Sequence, residues 1–160
     1  MKQYGGYRGQ IGFVDLTSGK VEILPLESNL VERYLGGYGL GCKLLYELMR
    51  PGTDPLSPEA FLGFMTGPLT GTRVPGGVRY MVVGKSPLTG GWGDANAGGF
   101  FGPSLKFSGF DGVFITGKAE SPVLLYIHDG KIEIHDASSL WGRDTFQTED
   151  ICKSKYGNNV

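Results

Sequence analysis

Between Ile11 and Leu16 apolar and polar residues alternate, Thr17-Ser18-Gly19 offers a turn, and the alternation resumes from Lys20 to Leu24. A period of two on either side of a tight turn predicts a β-hairpin. Pro25 ends it, Ser28 or Asn29 can cap a helix, and Leu30–Leu35 carries helical spacing. The run GGYGLG at Gly36–Gly41 interrupts that helix, and helical character returns over Cys42–Met49. Pro51, Pro55 and Pro58 then impose a loop. Phe61–Met65, Val78–Val83 and Gly112–Thr116 are short apolar runs that predict buried strands. Val123–Ile127, a His-Asp-Gly turn and Lys131–His135 predict a second hairpin, and the segment after it offers caps and a helix reaching Tyr156.

The two hairpins resemble each other. One ends Gly19-Lys20-Val21-Glu22-Ile23 and the other Gly130-Lys131-Ile132-Glu133-Ile134, each followed by a cap-rich stretch and a helix. Ordinary hairpin chemistry explains this as well as an internal duplication does. If duplication is the cause, the expected fold is an α+β domain of repeated hairpin–helix–sheet units. The first copy continues into a glycine-rich stretch and the second stops at its helix, so the chain is expected to be cut before a second glycine-rich half. Sheet edges left uncovered in that way would be expected to drive self-association into a homo-oligomer.

Composition narrows the class. A chain of 160 residues that is 40 % hydrophobic can bury one core. Fifteen basic residues against sixteen acidic ones give no general attraction for nucleic acid or a membrane surface. Cys42 and Cys152 form no motif, and the N-terminus MKQYGGYRGQ lacks an apolar signal segment. No apolar run is long enough to span a bilayer. The expectation is a soluble chain of a reducing compartment, the cytoplasm.

Glycine changes the picture. There are 28, well above the average usage of about 7 %, and many fall in GPLTGTRVPGGVRYMVVGKSPLTGGWGDANAGGFFG, Gly67–Gly102. Apolar and aromatic residues interleave with them, so the stretch is a folded element and not a tether. Glycines allow positive φ and close approach, and unpaired amides in such turns favour anions. Arg73, Arg79, Lys85 and Lys106 lie in or just beyond the stretch against Asp94. The pattern suits a platform for a flat, phosphate-bearing ligand, with Arg79 as a planar fork for phosphate and Asn96 as a short donor and acceptor. Each feature also has a structural reading. The glycines can serve turns and tight packing. Arg79, read as sharing a strand face with Met81, must pair with an acid or face a ligand. Asn96 can cap a helix beginning at Ala97, a role compatible with anion binding.

Other chemistry is thin. No phosphate-loop motif occurs, and GGYGLG breaks a helix where a dinucleotide fingerprint would open one after a strand. His128 and His135 alternate with apolar residues and are expected to face solvent, without a paired nucleophile. Trp92 and Trp141 are expected in a core or an interface. No catalytic residue is assigned.

The longer motifs carry a resemblance. GPLTGT, GGVRYMVVGKSPLTG, DANAGGFFGPSLKFSGFDGVFITGKAESPV and IEIHDASSLWG resemble the N-terminal domain of aldehyde ferredoxin oxidoreductases. GFVDLTSGKVE, YLGGYGLGCKLLYEL and DPLSPE resemble the same family in the same order. The resemblance covers residues 1–160 and implies a cofactor-platform domain that forms the base for tungsten, or sometimes molybdenum, held by two pterins. It implies that Arg79 lies between pterin and a [4Fe-4S] cluster and that Asn96 and Gly98 contact pterin phosphate. The backbone carbonyl of Asn96 would also help hold a magnesium ion between the two pterins' phosphates. The cluster's cysteines belong to later domains, and neither Cys42 nor Cys152 matches them.

By the same resemblance the intact protein would oxidise aldehydes to carboxylates and pass electrons to ferredoxin. Its C-terminal domains would be the partners of this chain, which alone would be inactive. Reductases of aromatic thioesters share the architecture and form the alternative. A stand-alone pterin- or phosphate-binding module, or a domain that has lost its ligand, completes the set. Many relatives carry arginine where this chain has Tyr38, and TGGWGDAN is richer in glycine than the usual approach to the asparagine.

Overall fold

The structure, a computed structural model, describes residues 5–158. Among these residues eight strands and four helices form a mixed α/β fold. The alternating pattern makes β1 (Gln10–Asp15) and β2 (Lys20–Pro25) an antiparallel hairpin, followed by α1 (Ser28–Tyr34) and α2 (Tyr38–Leu48). Then come β3 (Leu62–Thr66), β4 (Tyr80–Lys85), β5 (Trp92–Ala97), α3 (Phe101–Phe107) and β6 (Gly112–Thr116). The second hairpin, β7 (Val123–His128) and β8 (Lys131–Asp136), precedes α4 (Thr145–Tyr156), whose first turn is capped by the Asp144 carboxylate accepting from the Gln147 N–H at 2.8 Å.

Six strands form one sheet in the order β2-β1-β6-β3-β4-β5, antiparallel except for the β1–β6 pair, and β7–β8 form a sheet of their own. The period of two sorts the side chains between two cores. Ile11, Met65, Val83 and Phe114 face α1 and α2, where Val31, Leu40 and Leu45 cover them. Val14 and Val113 face the other way, where Leu105 of α3 and Ile132 of β8 cover them with Phe110. The two similar hairpins therefore hold different places: one edges the main sheet and the other lies across its face.

Several glycines are explained by this layering. A Cβ on Gly63 would sit 2.5 Å from the Phe114 ring, one on Gly112 would meet the Met65 sulfur, and one on Gly12 would overlap the Ile132 side chain. These are tight-packing glycines.

The boundaries correct some expectations. The strand expected over Val78–Val83 starts at Tyr80, because the Arg79 N–H bonds Gly76 O and its carbonyl accepts from Thr70 Oγ1, which takes it out of the ladder. α1 begins after Glu27, whose own side chain makes no capping hydrogen bond, so the N-cap position falls one residue before the Ser28 or Asn29 expected to fill it. GGYGLG does open a helix: Leu35 (φ 58°) and Gly37 (φ 51°) turn the chain, and α2 starts at Tyr38. That helix follows a helix, so the run is still no dinucleotide fingerprint.

The histidines do not simply face solvent. Both are half-buried on one face of the second hairpin, where their Nε2 atoms meet the two oxygens of Glu133 at 3.2 and 2.9 Å, and Tyr126 stacks on His128 and Tyr156. These hydrogen bonds hold Glu133 below the usual carboxylate range. Trp141, 79 % exposed, is no core residue, and Trp92 is also exposed.

One buried pair stitches the layers. Lys106, at 4 % exposure, meets Asp111, at 1 %, at 2.5 Å. The same carboxylate accepts the N–H groups of Arg8, at 2.9 and 3.1 Å, and of Gly9, at 2.7 Å. Asp111→Ala is expected to cost about 3–5 kcal/mol in urea unfolding, since it strands a buried ammonium and two backbone donors. A midpoint equal to wild type would contradict it. Gly63→Ala is expected to cost about 1–3 kcal/mol by overpacking against Phe114, measured the same way.

Candidate functional site

Three elements meet at one corner of the main sheet. Asn96 is not a helix cap. It lies in β5 opposite Met81 of β4, because WGDANA pairs along its whole length with β4. Gly98 and Gly99 (φ 86°) then end the strand, and the next helix opens at Phe101 with no side-chain cap. Asn96 Nδ2 donates to the Met81 sulfur at 3.5 Å. The Met81 side chain lies in turn against Gly37, at the start of α2.

Arg79, one residue before β4, is exposed, and its guanidinium lies against Gly98, where a Cβ would stand 3.4 Å from Nη1. Arg79, Asn96 and Gly98 are thus brought to one place. Among the described residues Arg79 forms no ion pair with a carboxylate. Of the two readings left open for this arginine, pairing with an acid is not realised among the described residues.

Arg79 is positioned through its backbone. Thr70, at 6 % exposure, donates its hydroxyl to the Arg79 carbonyl at 2.8 Å and accepts the Gly67 N–H at 3.0 Å. The carbonyl of the neighbouring Thr66 accepts the Gly37 N–H at 3.0 Å, so the start of α2 is fixed to the same segment. On the far side of the strand Tyr80 packs on Phe101, with ring centroids 4.7 Å apart. Thr70, Thr66 and Met81 were not singled out by the sequence. A threonine inside a glycine-rich turn is the signal that could have found Thr70, because its hydroxyl can bond backbone groups on either side of the turn.

Among the described residues β5 is an edge strand, with no strand partner on one side of its backbone. With the arginine fork, the open glycine backbone after Gly98 and the amide of Asn96, the corner can receive a planar, anionic ligand. Of Arg79, Asn96 and Gly98, Asn96 alone has a side-chain oxygen besides its main-chain one that could ligate a cation. No group of three or more His, Cys, Asp or Glu suited to a metal ion occurs among the described residues, and Cys42 and Cys152 are separate free thiols. No helix among the described residues is long and apolar enough to cross a membrane. Thr70→Val is expected to lower stability by about 1–3 kcal/mol by stranding the Arg79 carbonyl and the Gly67 N–H, with Thr70→Ser retaining most of it. Equal denaturation midpoints for valine and wild type would contradict the assignment.

Residues 11–160 match the family model described as aldehyde ferredoxin oxidoreductase, N-terminal domain. The tungsten-containing aldehyde ferredoxin oxidoreductase of Pyrococcus abyssi is 48 % identical over 153 residues, 96 % of this chain and 25 % of that protein. The aliphatic sulfonate oxidoreductase, WOR-like subunit, of Pyrococcus furiosus is 39 % identical over 139 residues, 85 % of this chain and 22 % of that protein. Among solved structures, the active-site complex BamBC of benzoyl coenzyme A reductase with 1,5-dienoyl-CoA matches with a TM-score of 0.91 and 37 % identity, over 96 % of this chain and 23 % of that one. The chain spans about a quarter of the length of these relatives.

Proposed function

The chain belongs to the aldehyde ferredoxin oxidoreductase N-terminal-domain family, and we propose that it forms the cofactor-bearing face of a tungsten- or molybdenum-dependent oxidoreductase. In this reading the intact protein oxidises aldehydes to carboxylates, with ferredoxin as electron acceptor and with further domains completing the pocket. A [4Fe-4S] cluster is ligated outside these 160 residues. The juxtaposition of Arg79, with no acid partner among the described residues, Gly98 and Asn96 at one sheet corner carries the proposal.

The residues fit a bis-pterin on their own chemistry. Arg79 offers fixed positive charge and a planar hydrogen-bonding fork to a phosphate or to a polar ring edge. Gly98 has no Cβ, so its backbone can approach a flat group closely. Asn96 orients its amide against Met81 and has a backbone carbonyl that could ligate a magnesium ion. When bound, the metal and its pterins supply the two-electron chemistry, and the protein contributes binding, orientation and electrostatics. No acid–base role falls to this chain.

A second reading keeps the platform and changes the substrate. The likeness to the benzoyl coenzyme A reductase complex favours an aromatic thioester reductase, whereas the higher identities to the aldehyde enzymes favour aldehyde oxidation. Duplication of the hairpin–helix unit remains part of the same proposal, supported by the shared Gly-Lys-x-Glu-x sequences and the positive φ at Gly19 and Gly130.

Arg79→Ala in the intact protein is expected to leave the fold unchanged, since the side chain is exposed. Loss of a charge-assisted contact of about 1.5–3 kcal/mol corresponds to a drop of roughly 10- to 100-fold in affinity for the cofactor. Tungsten or molybdenum content per protein, with ferredoxin-linked turnover, measures this. Unchanged metal content and turnover would contradict the proposal.

A further inference from the structure

A second polar pocket adjoins the corner of Arg79, Asn96 and Gly98 through Thr70, but those three residues do not line it. Tyr7, Arg8, Thr70, Thr72 and Lys106 surround about 200 Å³ beneath the loop that follows β3. Its charge is unbalanced. Lys106 and Arg8 bring two positive charges, and the nearest carboxylate, Asp111, brings one negative charge and does not line the pocket. That carboxylate is already occupied by the Lys106 ammonium and by the N–H groups of Arg8 and Gly9.

Donor capacity is left over. The Lys106 ammonium has three N–H groups, and Asp111 Oδ1 is its one hydrogen-bond acceptor among the described residues; the Tyr7 ring lies 5.4 Å away. The Arg8 Nε donates to the Lys106 carbonyl at 2.8 Å, and no carboxylate pairs with its guanidinium among the described residues. Thr70 and Thr72 give their hydroxyl protons to the carbonyls of Arg79 and Leu69, so they contribute acceptors and no donors. Burial, with a smaller contribution from the Arg8 charge, pushes Lys106 below its ordinary value against the opposing pull of Asp111.

We infer that this pocket binds a small tetrahedral oxyanion, inorganic phosphate or sulfate, held by the Arg8 guanidinium and the Lys106 ammonium with the Tyr7 hydroxyl as a third donor. At roughly 30 Å³ per water molecule, the space admits such an ion and a few waters but no nucleotide or pterin. The inference is independent of the cofactor proposal.

Calorimetric titration of the intact protein with sodium phosphate and sodium sulfate, against chloride at matched ionic strength, tests it. One saturable site for either oxyanion is expected, and the tighter of the two identifies the ligand. Arg8→Gln is expected to weaken it at least tenfold. Arg79→Gln is expected to leave it unchanged, which separates this pocket from the cofactor corner. Thr72→Glu, at an exposed loop position that places an acid on the rim, is expected to weaken it as well and serves if Arg8→Gln does not fold. Heats indistinguishable from chloride, or equal affinity in wild type and the Arg8 and Thr72 variants, would overturn the inference.

Discussion

The ion pair between Lys106 and Asp111 is the interaction on which the rest of the arrangement depends. Asp111 touches four parts of the chain. Its carboxylate takes the Lys106 ammonium from α3 and the N–H groups of Arg8 and Gly9 from the segment before β1. Its N–H bonds the Gln10 carbonyl of β1, and its carbonyl accepts both the N–H and the hydroxyl of Thr66, at 2.9 and 2.8 Å. A buried carboxylate is tolerable only when its hydrogen bonds are complete, so this residue fixes where α3, β1 and β3 end relative to one another.

From Asp111 a run of hydrogen bonds leads to the corner of Arg79, Asn96 and Gly98 proposed to bear the cofactor. Thr66 passes its carbonyl to Gly37 at the start of α2. The next residue, Gly67, donates to Thr70, and Thr70 donates to the carbonyl of Arg79. The backbone of the corner is therefore held by hydrogen bonds, while among the described residues the Arg79 side chain has no acid partner. Preorganised backbone with an uncommitted charge is the arrangement that binding of an anionic cofactor needs.

Legibility in the sequence followed physical regularity. Both hairpins and the cores of β3 and β6 could be read because burial on one face imposes a period of two. β5 escaped, since WGDANA is an exposed edge with no apolar alternation, and α3 escaped because it is short and uncapped. Asn96 looked like a cap because small residues follow it; tertiary pairing with β4 overrode that local preference. The glycines divided as their neighbours required: Gly63 and Gly112 serve packing, while Gly98 lies beside Arg79. Lys106 and Asp111 were visible only as a lysine between Leu105 and Phe107 and an acid five residues on. A charge inside an apolar run is a signal of a buried pair, but its partners at Arg8 and Thr66 are about a hundred and 45 residues away in the chain.

The measurement that tests the central claim most directly is a crystal structure of the intact, metal-loaded protein, with the heavy metal located by anomalous scattering. The expected result is a pterin phosphate within hydrogen-bond distance of Asn96 or Gly98, with the Arg79 guanidinium against the same cofactor. A metal and pterin bound elsewhere, with Arg79, Asn96 and Gly98 facing solvent, would contradict it.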